Sequence, residues 1–222
     1  MIPPKQNAAF VAHMEDILDL YHRPYDENTP LICMDEQPVQ LVEEIRVPLA
    51  ACPGRPRRYD HHYKRAGTAN IFLFTEPLAG WRRTSVSNRR TAVDWAGQMR
   101  MLLEADYPEA KKVILICDNL NTHKIASFYE AFPPAVARGL VKRLEIHHTP
   151  KHGSWLNVAE CELSVLSRHC LRNRTGSTEA LRSKVGPWQR ERNGCNCKVD
   201  WRFTTDDARI KLKRLYPQYQ AA

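Results

Sequence analysis

The sequence predicts an α/β protein, a mixed central sheet of about five strands flanked by helices. Three observations carry that expectation. Val113 to Cys117 is an unbroken apolar run, rich in β-branched residues and bounded by Lys111-Lys112 and Asp118-Asn119; a strand buried on both faces reads this way. Three strand-like segments precede it, with turn chemistry between the second and third. Stretches of helical periodicity separate the central run from a last strand and then follow it.

Taken in order, the chain opens with Pro3-Pro4 and then an amphipathic helix through Tyr21. Phe10, Met14, Ile17, Leu18 and Tyr21 recur at helical spacing, and Asn7 stands where a cap would. Arg23-Pro24-Tyr25 and Thr29-Pro30 break it. A first strand runs from Leu31 to about Leu41. Residues 42–68 carry Pro48, Pro53, Gly54 and Pro56 with Arg55, Arg57, Arg58, Lys64 and Arg65, and read as a long basic loop with short irregular strands. Thr68 to Thr75 is strand-like, Glu76-Pro77-Leu78-Ala79-Gly80 is a turn, and Trp81 to Ser87 returns as a paired strand. Ala92, Trp95, Ala96, Met99, Leu102 and Leu103 give a helix over Thr91–Ala105 an apolar side. After the central run, Asn121 or Thr122 could cap a helix to Ala131, ended before Pro133-Pro134. Arg143 to His148 is the last strand. A helix from Leu156 to Leu171 follows, then helices near 178–192 and 204–215.

The chemistry sits where apolar runs stop. The first strand passes from Leu31-Ile32-Cys33-Met34 into Asp35, and the central one ends at Asp118, a position where open α/β sheets build their sites. Glu160 falls in the first turns of the helix that Ser154-Trp155-Leu156-Asn157 opens. Asp118 alone reads equally well as a cap of its turn. Three acids on two strand ends and a helix face, however, make a candidate site for hard divalent cations, which take oxygen ligands. Glu36 adjoins Asp35 and should point to the opposite face of the strand. Glu162 lies about 200° around the helix from Glu160 and reads as a surface or salt-bridging residue.

The motifs Met34-Asp35-Glu36, Cys117-Asp118-Asn119-Leu120-Asn121-Thr122-His123 and His148-Thr149-Pro150-Lys151-His152-Gly153-Ser154-Trp155-Leu156-Asn157-Val158-Ala159-Glu160 closely resemble the catalytic domain of IS630-type transposases, in the group that includes Tc1/mariner elements. The resemblance spans Ile2-Pro3-Pro4 to Leu215-Tyr216-Pro217. It implies an RNase H-like fold, whose strand and helix order matches the one just read. It also implies a catalytic triad of Asp35, Asp118 and Glu160 that binds two Mg²⁺ or Mn²⁺ ions. Cleavage and joining of DNA at element ends, and a homo-oligomer assembled on DNA, follow from the same resemblance. Asn119, His123 and Asn157 match motif positions expected to support the acids or touch substrate. Val158-Ala159 departs from the Pro-Ile common there but leaves Asn157 and Glu160 in place. Members usually carry helix-turn-helix modules ahead of this domain, which leaves a truncated product, one half of a frame-interrupted element and an excised domain as alternatives.

Composition bounds the alternatives. The 222 residues can bury one sizeable core, and 43% hydrophobic with 26% charged residues is ordinary globular usage. A formal charge of +8 favours a polyanionic partner. The expected division is a helical lead-in over 1–30, the catalytic domain over 31–174 and a basic helical extension over 175–222. No apolar stretch approaches the roughly 20 residues of a membrane span and no secretory signal opens the chain, so a cytoplasmic, nucleoid-associated protein is expected. The seven cysteines include several in apparent core runs (Cys33, Cys117, Cys161, Cys170), and Cys195-Asn196-Cys197 has no matching pair to make a zinc site. Phosphate-contacting side chains are expected at Arg55, Arg57, Arg58, Lys64, Arg65, Lys151 and His152. Two competing functions remain: a related nuclease that only hydrolyses, and a catalytically silent DNA-binding or inhibitory fragment.

Overall fold

A computed structural model describes residues 6–218 other than Val47, Arg57 and Tyr59. Five strands form one mixed sheet: β1 (Leu31–Glu44), β2 (Tyr63–Glu76), β3 (Trp81–Ser87), β4 (Val113–Cys117) and β5 (Leu144–His148), in the order β3-β2-β1-β4-β5. The first three form an antiparallel meander, whereas β4 runs parallel to both β1 and β5. The helices are α1 (Ala8–Tyr21), α2 (Ala92–Met101), α3 (Ile125–Ala131), α4 (Pro134–Lys142), α5 (Val158–Cys170), α6 (Thr178–Gly194) and α7 (Thr205–Lys211).

Strand alternation explains the layers. In β4, Val113, Leu115 and Cys117 join a core with Trp95 and Met99 of α2, Phe128 of α3 and Leu140 of α4; Ile114 and Ile116 face the opposite core, built from α1, α5 and α6. Every β4 residue is therefore buried, which is why the run carries no polar position. In β1, Ile32 and Met34 face the α2–α4 side and Cys33 the α1–α5 side. Continuing that alternation sends Asp35 toward α5 and Glu36 toward α2 and α3.

Several elements differ from expectation. The basic segment is an extended hairpin arm: β1 continues to Glu44, β2 begins at Tyr63, and isolated bridges at Leu49–Arg58 and Cys52–Arg55 carry the pairing outward. Lys64 and Arg65 thus lie on a strand, not in a loop. The helix before Pro133 starts only at Ile125, with no side-chain cap, because 121–124 form a turn. Pro134 opens α4, which was not expected; proline is well placed at a first helical position, where its missing N–H costs nothing. The helix through Met101 ends in a π turn over Leu102–Asp106. Cys161 is exposed rather than in the core, and all seven cysteines are free.

The two ends of the described chain meet. The Asn7 N–H donates to the Leu215 carbonyl at 2.9 Å, and Arg209 of α7 forks onto Glu15 of α1. Among the described residues no helix is long and apolar enough to cross a membrane.

Candidate active site

The parallel pairing of β1 with β4 covers only Leu31 to Cys33, and β4 stops at Cys117. Beyond that point β1 runs on with β2 alone, leaving a notch at the carboxyl end of β4. Asp35 and Asp118 flank it, and α5 closes it from one side. The opening of α5 is fixed to β1 by buried polar contacts. Asn157, 1% exposed, donates from Nδ2 to the Met34 carbonyl at 2.9 Å, standing in for the strand partner that β4 no longer supplies, while its Oδ1 accepts from Ala159 N–H as the helix cap. The Tyr21 hydroxyl donates to the Leu156 carbonyl at 2.6 Å. These bonds put Glu160, in the first turn of α5, beside Asp35.

The electrostatics record the approach. Burial pushes the Asp35 carboxyl up to about 7; the nearby Asp118 and Glu160 add to the rise, against the Glu36 N–H that hydrogen-bonds it at 2.7 Å. No Lys or Arg among the described residues forms an ion pair with Asp35, Asp118 or Glu160. The acids converge without coordinating: no three His, Cys, Asp or Glu side chains among the described residues are gathered tightly enough to enclose an ion. Three carboxylates without a cation repel one another, and such spacing is the expected outcome.

His123 is fully buried, as a link between two acids. Its Nε2 lies 3.0 Å from Glu36 Oε1 and its Nδ1 2.5 Å from Asp118 Oδ1, with the ring stacked on Trp95 at 5.4 Å. Burial alone would lower its pKa, but hydrogen bonding to Asp118, Cys117 and Glu36 outweighs this and raises it well above the usual imidazole range. The Asp118 contact is close but poorly aligned. The Nδ1 hydrogen bond goes to the Asp118 carbonyl at 3.2 Å, so Oδ1 is buried with no aligned donor. Three carboxylates around one notch, with His123 as the basic side chain against them and no lysine or arginine ion pair among the described residues, fit a divalent cation; Asp35, Asp118 and Glu160 are the oxygen donors present.

Other expected residues are distributed less closely. Asn119 is exposed just past Asp118, and Lys151 and His152 are exposed on the turn after β5. Arg55 and Arg58 lie out along the arm, beyond the end of the β1–β2 ladder at Glu44 and Tyr63. Lys64 sits 3.5 Å from Glu43, Arg65 is exposed on β2, and Arg57 lies outside the described residues. Glu162 is a salt-bridging residue, but a buried one. It accepts from Arg82 Nε and Nη2 at 2.9 and 2.8 Å and from Arg192 Nη2 at 2.8 Å, joining α5 to β3 and α6. Sequence reading missed the part played by Glu36, Trp95, Tyr21, Arg82 and Arg192. Only Glu36 left a signal, as an acid at an inward strand position.

A model of the DDE superfamily of endonucleases matches residues 30–182. No curated protein matches the chain. Among solved structures, the mariner Mos1 paired end complex with Mg is similar over 98% of this chain and 66% of its own, at 17% identity and a TM-score of 0.58. The Mos1 paired end complex with Mn (16% identity, 89% and 61% covered, TM-score 0.56) and the Mos1 strand transfer complex (17%, 89% and 60%, 0.56) are similar in fold. The chain spans about three-fifths of the length of these last two. The match to the family model covers more than half of the chain and contains Asp35, Asp118 and Glu160; the chain belongs to the DDE superfamily of endonucleases.

Proposed function

We propose that this chain is the catalytic domain of an insertion-sequence DNA transposase of the IS630/Tc1/mariner group, cleaving strands at element ends and joining them to target DNA. The observation that carries the reading is the convergence of Asp35, Asp118 and Glu160 around a strand-end notch with no Lys or Arg ion pair. The family match and the fold shared with structures of Mos1 paired-end and strand-transfer complexes support it.

In this reading the three acids hold Mg²⁺ or Mn²⁺, probed best as a pair of ions. Such ions, when bound, make a water or a 3′-hydroxyl nucleophilic and stabilise charge on the attacking and leaving oxygens. The chain's own residues supply the frame. Asp35 projects from a strand paired with β2 on one side and held at Met34 by Asn157 on the other. Asp118 is steadied by His123, itself anchored on Glu36 and Trp95. Glu160 is placed by Asn157 and Tyr21. DNA is the substrate, and assembly as a homo-oligomer on it belongs to the same reading.

The test is nicking and joining of supercoiled plasmid and element-end DNA with Mg²⁺ or Mn²⁺, intact chain beside Asp118→Asn. Metal-dependent cleavage that falls by at least a thousandfold in the variant is expected from loss of one metal-binding carboxylate, about 4 kcal/mol in barrier. Joined products select transposase over a nuclease that only hydrolyses. Equal activity in both proteins would overturn the site.

A further inference from the structure

A second polar recess lies beside the acids. It has a volume of about 210 Å³ and lies between the opening turn of α1 and the segment after β5, lined by Asn7, Phe10, His13, Asn119, Thr149 and Lys151 among others. That volume holds a tetrahedral anion with several waters of about 30 Å³ each. No Asp or Glu lines it.

The polar groups around it are unspent. Thr149 is only 5% exposed, and its N–H is used on the Cys117 carbonyl at 2.9 Å. Its hydroxyl has no hydrogen-bond partner among the described residues, yet is not sealed from solvent, so it opens into the recess it lines. That hydroxyl is therefore free to donate to a group entering the recess. Asn119, His13 and Lys151 likewise have no side-chain partner among the described residues. Asn7 caps the 14-residue helix α1 by accepting the Phe10 N–H at 2.9 Å, so its side-chain carbonyl is used, and the recess lies at the amino end of that helix. Lys151 is presented by a tight turn in which Gly153 N–H donates to the Pro150 carbonyl at 2.8 Å and His152 takes a positive φ of 67°.

Unpaired donors, one cation and no acid define an anion site. From this arrangement we infer that the recess seats a backbone phosphate of a nucleic-acid strand, one other than the phosphate being cleaved, and so fixes the strand's register at Asp118. Asn119 directly follows that acid, which is what places the two sites side by side. The ligand class rests on the function proposed above; the anion site itself does not.

The test uses the full chain with chelator present, so that nothing is cut. Anisotropy of a labelled duplex of about 20 base pairs is followed from 50 to 200 mM salt for the intact chain, Lys151→Gln and Thr149→Val. Lys151→Gln is expected to lower the slope of log K against log salt by about one, and Thr149→Val to weaken binding roughly tenfold with no fall in melting temperature. Inorganic phosphate is titrated in parallel against ¹⁵N-labelled chain. Shifts at the Thr149 and Asn119 amides that vanish in Lys151→Gln are expected. If phosphate moves those amides but the chain binds no duplex, the nucleic-acid reading fails while the anion site stands. Phosphate that leaves both amides unmoved, or variants that bind duplex with unchanged slope and affinity, overturns the site.

Discussion

Asp35 shows how a functional residue weakens the structure that holds it. Its carboxyl titrates near 7 in the folded chain because it is buried beside Asp118 and Glu160, against about 3.9 in an unfolded one. The folded state therefore keeps this proton longer, and metal-free stability falls as pH rises from about 4 to about 7, then levels off. Asp35→Asn removes the titration. Melting with chelator at pH 8 should show the variant above the intact chain by about 1 kcal/mol, roughly 2–4 °C. Mn²⁺ should raise the melting temperature of the intact chain only. At His123 the prediction has the opposite sign. His123→Ala leaves Glu36 buried with Arg90 at 3.9 Å as its sole ion-pair partner among the described residues. Removing one member of a buried pair costs about 3–5 kcal/mol, to be read from urea unfolding; a loss below about 1 kcal/mol would show that the ring does not neutralise that acid.

Among elements, legibility followed distance along the chain. The sheet could be read because β4 is apolar on both faces and the meander carries its own turn at Gly80, whose φ of +69° suits glycine. The acids could be read because each interrupts or follows an apolar pattern. Glu36 and Glu162 could be assigned a face, but their partners could not be named: His123, Arg82 and Arg192 come from elements brought in only by the complete fold. The start of α4 was hidden because Pro133-Pro134 ends one helix and begins the next. The arm was hidden because its ladder past Glu44 consists of two isolated bridges among prolines and arginines. The Arg82–Glu162–Arg192 cluster makes α6 a support of the helix that bears Glu160. Glu162→Ala should cost about 3–5 kcal/mol in urea unfolding, and Glu162→Gln should recover part of it, since the amide still accepts from Arg82.

For the whole molecule, the formal +8 overstates the charge offered to a partner. Arg143 spends its guanidinium on the carbonyls of Leu103, Tyr107, Pro108 and Ala110, Arg82 is buried on Glu162, and Arg83 sits 2.7 Å from Asp106. Exposed cations such as Arg55, Arg58 and Lys151 lie on the arm and on the turn after β5 rather than among the acids. The notch between the acids carries no lysine or arginine ion pair among the described residues.

The bond between Asn7 and Leu215 has a consequence for rearranged genes. Where the first and last described segments of a fold touch, the order in which a ribosome makes the pieces is not dictated by the fold. A circular permutant that joins 218 to 6 by a short glycine-serine linker, and opens between Pro53 and Gly54 at the arm's turn, should fold with a melting temperature within a few degrees of the parent. Failure to fold would mean that the hairpin arm must be continuous for the sheet to form.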